Sequence, residues 1–369
     1  MKEILLVAGA RPNFMKLAPL VRALEPLHGQ LGFKIVHTGQ HYDREMSDVF
    51  FEELGIPTPH FHLGAGGGSH AEQTAKIMVA FEALCQPEKP TAVVVFGDVN
   101  STLACSIVAK KLGIKVAHVE AGLRSGDWAM PEEVNRVVTD SITDWYFVTE
   151  PSGMEHLRRE GKPEAALHFV GHVMVDNVLF QRDKLLQQAL TSGPSVDFKT
   201  RHPRYAVVTM HRPSNVDEAS TLTEIASALM DISKQLPIAF PVHPRTRKNF
   251  EAFWIELGPH IELLPPLPYM EFLNLWKDAA LVLTDSGGLQ EETTALGVPC
   301  VTLRENTERP ITVDEGSNVL AGTSAKRIKQ LAQEFIEGRT KKAQRPQLWD
   351  GQAAQRIAAI LLRELSHLG

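Results

Sequence analysis

The chain has 369 residues, 43% of them hydrophobic and 22% charged, enough for two domains with separate cores. A formal net charge of −6 without a lysine- or arginine-rich tail offers no field for nucleic acid, so an anionic ligand must be held by local chemistry. Neither a signal peptide nor an apolar run of membrane-spanning length is read, and Cys85, Cys105 and Cys300 stand far apart, as expected of reduced thiols in a cytoplasmic protein.

Short apolar runs alternate with amphipathic segments along the chain. The first half predicts strands in EILLVAGA, FKIVHTGQ, TAVVVFGD, KVAHVEAG, WYFVTE and LHFVGH, with helices among them near residues 12–27, 70–84 and 102–112. Strands that are apolar nearly throughout, separated by helices, indicate a parallel sheet covered on both faces. The polar stretch QQALTSGPSVDFKTRHPR interrupts the pattern, which restarts with YAVVTMHRP, IAFPVHP, IELLPPL, AALVLTDSGG and PCVTLRE. The expected fold is α/β, two Rossmann-like doubly wound domains with a ligand site in the cleft between them. The first is expected over residues 1–170 and the second over 171–351, and a final helix from about 352 is free to pack back on the first.

Polar residues gather where the predicted strands end. GARPNFMK, TGQHYD, GDVNST, VEAGLR, MHRPSN, VHPRTR and TDSGG each follow the carboxyl end of a strand, the place where open α/β sheets bind ligands. GARPNFMK is neither a P-loop nor a dinucleotide fingerprint, so Arg11 and Lys16 are either anion contacts or solvated bases at a helix start. Asp98 is either a reactive carboxylate or the cap of the next helix. Glu120 and Arg124 bracket a glycine turn, while Glu132 and Glu133 follow Pro131 at a helix start that suits acidic residues in any case. Together, Asp98, Glu120 and Glu132 are able to serve as proton donors or acceptors on two sides of one substrate.

His211 and Arg212 close the first strand of the second half, and a functional histidine there competes with a hydrogen-bonded structural one. His243 is a weaker candidate of the same kind. His60, His62 and His70 lack cysteine or acidic partners at ligand spacing, so no metal is expected. In TDSGGLQEE, Ser286, Gly287 and Gly288 allow backbone N–H groups to approach a diphosphate at a helix N-terminus. A carboxylate one turn on suits the attached ribose, because an ionised Glu accepts from two neutral hydroxyls. Glu292 is expected to take that role and Glu291 to be solvated, with Arg309 in TERP neutralising the phosphates from the other side.

GARPNFMKLAPL, GDVNSTLA, HVEAGLRS, PEEVNR, VTMHRPSN, TDSGGLQEE and TERP, in that order over residues 9 to 310, resemble the non-hydrolysing UDP-N-acetylglucosamine 2-epimerases. The resemblance implies a GT-B-like fold, UDP in the cleft, a homodimer and no cofactor. It also implies interconversion of UDP-GlcNAc and UDP-ManNAc for surface polysaccharide synthesis, through elimination and readdition of UDP. Carried over by motif, Arg11, Lys16, His211, Ser286, Gly287, Gly288, Glu292 and Arg309 bind UDP, and Arg136 and Arg212 stand with them as substrate contacts. Asp98, Glu120 and Glu132 surround the sugar and, with His211, form the implied catalytic set. A 2-epimerase of a differently substituted UDP-sugar and a GT-B glycosyltransferase are the alternative readings.

This chain departs from the family pattern in three places. TGQHYDREM carries extra residues, RSGDWAMPEE is shorter, and GAGGGSHAEQT lacks the Arg-Gln pair that helps regulated members bind an activating second substrate. The shorter RSGDWAMPEE leaves recognition of the sugar's substituents open, while the long TGQHYDREM loop and the missing Arg-Gln pair lead to the expectation that substrate saturation is hyperbolic or nearly so. Initial rates against UDP-sugar concentration check this, and a sigmoidal curve would reveal a second site that the sequence does not show.

Overall fold

The computed structural model describes residues 2–39, 51–339 and 342–367, and of Arg11 the backbone alone; most of TGQHYDREM lies outside them. Two parallel sheets organise the chain. In the first, β1 (Lys2–Ala8), β2 (Leu31–His37), β3 (Phe61–His62), β4 (Ala92–Phe96), β5 (Lys115–Ala121), β6 (Trp145–Val148) and β7 (Leu167–Phe169) lie in the order β3-β2-β1-β4-β5-β6-β7. In the second, β8 (Ala206–Thr209), β9 (Ile238–Pro241), β10 (Ile261–Leu264), β11 (Leu281–Thr284), β12 (Cys300–Thr302) and β13 (Asn318–Leu320) lie in the order β10-β9-β8-β11-β12-β13. Two compact units result: residues through Asn177 with those from Gln347 onward, and Val178–Pro346.

The apolar runs explain the layering. AVVVF of β4 and LVLT of β11 are buried at every position, as strands covered on both faces must be. In the first unit Ile77, Phe81, Ala104 and Val108 from two flanking helices pack on Leu5, Val7, Val93 and Val95. In the second, Ile225, Leu229, Ile328 and Leu331 pack on Val208, Leu281 and Leu283. Each large apolar side chain so buried contributes about 1.5–3 kcal/mol. The three cysteines are buried and unpaired, and burial pushes the thiols of Cys85 and Cys300 up to about 12.

Sheet order places the polar loops. Crossovers leave β1 and β4, and likewise β8 and β11, toward opposite sides, so a crevice opens beyond the carboxyl ends of each pair. The loops there begin at Gly9 and Gly97 in one unit, and at Met210 and Asp285 in the other. Strands β3 and β13, of two and three residues, were absent from the sequence reading because neither supplies a recognisable apolar run.

The helix Ala353–Ser366 packs on the helix Arg11–Leu24 of the first unit. Its N-cap residue, Gln352, makes no side-chain capping bond. Asp176 caps it from outside, accepting the Ala353 N–H at 3.2 Å and the Ala354 N–H at 2.7 Å. Asp176→Ala strands both donors, and the expected cost is about 1–2 kcal/mol with faster amide exchange in the first turn of that helix. Hydrogen exchange followed by mass spectrometry checks this, and unchanged protection there would show the cap to be dispensable.

Candidate active site

In the first unit the β1 and β4 loops are stitched by one side chain. Asn13 Oδ1 accepts from the Gly9 and Ala10 N–H groups at 3.2 and 3.1 Å, while its Nδ2 donates to the Phe96 carbonyl at 3.0 Å. One turn into the same helix, Lys16 Nζ lies 2.5 Å from Glu120 Oε2, with both side chains almost wholly buried. Glu120 itself has φ 75°, in the left-handed region, where the β5–β6 register shifts between Val119 and Ala121. A bulge of this kind turns a side chain out of the alternation of the strand.

Asp98 is not the cap of the next helix, whose N-cap is Val99. Its Oδ2 meets Arg136 Nη2 at 2.5 Å, and Arg136 Nη1 meets Glu133 Oε2 at 2.6 Å. Glu133 also accepts from the Ser125 and Gly126 N–H groups and the Ser125 hydroxyl, at 2.9–3.0 Å. Burial opposes its ionisation, but these donors and Arg136 hold its carboxyl below the usual range. Glu133 is thus the clamp of the SGDWAM loop. Its neighbour Glu132 is half-buried in the first turn of the helix Pro131–Ile142, with no bonding partner among the described residues. Arg136 is a buried bridge that orients Asp98.

In the second unit a buried carboxylate that the sequence reading passed over organises the β8 loop. Asp285 receives the His211 N–H at 3.0 Å, the Arg212 N–H at 2.9 Å and Asn215 Nδ2 at 3.2 Å. His211 Nδ1 lies 3.0 Å from its other oxygen, and Arg212 Nε donates to its carbonyl at 3.1 Å. Burial works against ionisation of Asp285, yet His211 and the two backbone donors hold its carboxyl below the usual range. With Nδ1 engaged and the side chain half exposed, Nε2 is the nitrogen of His211 left to meet a ligand. The signal was present in TDSGG, an Asp directly after an apolar strand at the sheet's switch point.

The helix Gly287–Leu296 starts behind Ser286, which makes no side-chain cap. The N–H groups of Gly287, Gly288 and Leu289 have no acceptor among the described residues, and a Cβ built on Gly287 would meet nothing within 4 Å. Gln290 fixes this start, donating to the Ser286 carbonyl at 3.2 Å while its oxygen accepts from Thr307 at 2.6 Å and Asn318 at 3.2 Å. Three uncapped donors at a helix start, with open space before them, form an anion cradle.

The two glutamates one turn on correct the sequence reading. Glu291 is not solvated: it is buried and ion-paired with Arg309 Nε. Arg309 thereby directs one guanidinium edge to Glu291, and its Nη1 donates to the Glu308 carbonyl at 3.3 Å. Glu292 is buried, with Tyr269 donating to its Oε1 at 3.2 Å. Burial, aided by the nearby Glu291 charge and opposed by Tyr269, raises its carboxyl to about 8. At neutral pH it is a protonated acid that both donates and accepts, where the sequence reading expected an ionised acceptor. Among the described residues no three His, Cys, Asp or Glu side chains form a metal-binding group, and no helix is long and apolar enough to cross a membrane.

Two doubly wound parallel sheets, with carboxylates at the strand ends of one and an anion cradle at the other, define an α/β protein of the two-Rossmann, GT-B-like type. The chain belongs to the UDP-N-acetylglucosamine 2-epimerase family, whose model matches residues 26–362. A UDP-N-acetylglucosamine 2-epimerase of Methanocaldococcus jannaschii is 40% identical over 365 residues, 97% of this chain and 98% of that protein. A UDP-2,3-diacetamido-2,3-dideoxy-D-glucuronate 2-epimerase of Pseudomonas aeruginosa is 38% identical over 364 residues, 98% of this chain and 99% of that one. The crystal structure of the Methanocaldococcus jannaschii UDP-GlcNAc 2-epimerase in complex with UDP-GlcNAc and UDP matches with a TM-score of 0.85 at 40% identity, covering 98% of this chain and 100% of the other.

Glu292 makes stability depend on pH with a definite sign. Its folded value of about 8 lies above the ordinary 4.5, so the folded protein holds a proton that the unfolded chain releases between those limits. The associated stability is complete below the ordinary value and is lost as pH rises through the folded one. Glu292→Gln keeps the shape without the ionisation, so its melting temperature relative to wild type is expected to rise between about pH 5 and about pH 9. Thermal unfolding at both pH values checks this, and a constant difference would mean that Glu292 is solvated.

Proposed function

We propose that this protein is a non-hydrolysing UDP-N-acetylglucosamine 2-epimerase, interconverting UDP-GlcNAc and UDP-ManNAc with no cofactor. The observation that carries the reading is that a member of this family has an uncapped helix start at Ser286–Gly288 in its second unit and, in its first, strand-end carboxylates at Asp98 and Glu120 and a helix-start carboxylate at Glu132. C2 of the sugar is not adjacent to a carbonyl, so deprotonation alone would leave an unstabilised carbanion. Loss of the C2 proton with departure of UDP avoids this: the C–H electron pair forms the C1–C2 double bond and the C1–O pair leaves with the diphosphate. The reverse addition, with protonation of C2 on the other face, gives the epimer.

The residues divide by role. The Gly287, Gly288 and Leu289 N–H groups, with Arg11, Lys16, His211, Arg212 and Arg309, favour the negative charge that grows on the departing UDP. Glu292 meets the ribose. Asp98, Glu120 and Glu132 serve the two faces of C2, with Arg136 orienting Asp98. The same reading makes the protein a cytoplasmic homodimer that supplies surface-polysaccharide synthesis. A second substrate, UDP-2,3-diacetamido-2,3-dideoxy-D-glucuronate, is favoured by one observation, since the Pseudomonas aeruginosa relative is nearly as similar as the Methanocaldococcus jannaschii one.

Incubation with UDP-GlcNAc in D2O, with chelator and without nicotinamide, is expected to place one deuteron at C2 of the epimer. Running the diacetamido substrate in parallel decides between the two sugars. The amides of Asp98, Glu120 and Glu132 are expected to turn over roughly 10²–10⁴-fold more slowly with UDP affinity kept, and at least one to release glycal and UDP. Epimer without deuterium, together with no glycal from any amide, would exclude elimination.

A further inference from the structure

His118 and Asp140 are both wholly buried, and the proposed chemistry uses neither. His118 Nδ1 lies 2.7 Å from Asp140 Oδ1, and its Nε2 lies 2.8 Å from the Gly97 carbonyl oxygen. Carboxylate and carbonyl oxygens only accept, so filling both bonds requires a proton on each ring nitrogen. The charges around the ring agree. Asp140 Oδ2 meets Arg124 Nη1 at 2.8 Å, and Arg124 grips Glu160 through Nε and Nη2, each at 2.8 Å. Two carboxylates and one guanidinium leave a single positive charge wanting, and an imidazolium supplies it. Burial opposes ionisation of Asp140, but His118 and Arg124 outweigh it and hold the carboxyl below the usual range.

This pair touches each element that carries a candidate acid. Gly97, at φ 62°, immediately precedes Asp98; its N–H donates to the Val119 carbonyl at 3.0 Å, and its carbonyl takes the His118 bond. His118 lies two residues before Glu120 on β5. Asp140 lies on the helix Pro131–Ile142 with Glu132 and Arg136, and its Oδ2 also receives the Gly122 N–H at 3.0 Å. Arg136 of that helix then reaches Asp98. One charged, buried junction therefore joins the end of β4, the end of β5 and this helix.

We propose that His118 is a positioning residue, an imidazolium held between Asp140 and the Gly97 carbonyl, which sets Asp98, Glu120 and Glu132 at fixed separations. The proposal rests on reading those three as the acid–base groups at the sugar. In wild-type protein labelled with 15N-histidine, the ring signal that vanishes in His118→Gln is expected to show an N–H proton on each ring nitrogen. A single ring proton would overturn the imidazolium.

His118→Phe fills the space without donors. It is expected to lower kcat about 100-fold, as misplacement on the order of an ångström does, while KM and UDP affinity stay within about threefold. His118→Gln keeps a donor for the Gly97 carbonyl and is expected to recover part of kcat. A raised KM with unchanged kcat, or equal losses in both variants, would overturn the positioning role. Should His118→Phe not fold, the wild-type spectrum and the glutamine variant still decide. Full activity in the amides of Asp98, Glu120 and Glu132 would instead overturn the acid–base reading, and the ring spectrum distinguishes that failure from this one.

Discussion

A carboxylate removed from water must find a cation, a set of N–H donors or a proton. Six acidic residues at the strand ends and in the loops and helix starts beyond the two sheets meet that demand in different ways. Glu120 takes an ammonium, from Lys16. Asp98 and Glu133 share one guanidinium, from Arg136. Asp285 collects backbone N–H groups and a histidine, Glu291 takes Arg309, and Glu292 takes a proton. Six acids are thereby held in distinct electrical surroundings, and chemistry on a proton and a diphosphate requires such differences.

Sheet topology decides which of these groups become neighbours. The order reverses at β1/β4 and at β8/β11, so residues far apart in sequence meet at a crevice with few backbone obstacles. In the first unit this brings Lys16 to Glu120 and Arg136 to Asp98. In the second it brings the β8 loop to Asp285. The strand-end carboxylates and the uncapped helix start thus arise from the same architectural device, used once in each unit with different side chains.

Much of this was legible in the sequence because burial on both faces leaves long apolar runs, and because polar residues followed each run at once. Eleven of the thirteen strands among the described residues were visible in this way, as were the helix start at Gly287 and the acids in GDVNST, VEAGLR and PEEVNR. Partnership was not legible. Glu291 and Glu292 are adjacent and identical in type, yet one is paired with Arg309 and the other protonated, which depends on neighbours from distant segments. Asp285 and Asp140 were missed for the same reason, since their importance lies in what converges on them. The charge state of Glu292 was misread because sequence carries no measure of burial depth.

The bulge at Glu120 shows how the fold treats a conflict between local comfort and chemical placement. A glutamate at φ 75° sits in a backbone region that side chains with a Cβ avoid, at a cost of about 1–2 kcal/mol. In a regular strand this position would fall on the same face as His118, among the core side chains; the bulge directs its carboxylate to Lys16 instead. Glycine or asparagine would sit there with less strain. A chain refined for thermal endurance alone would therefore drift toward those residues at 120 and lose its carboxylate, so thermostabilisation of this protein has to treat that position as fixed.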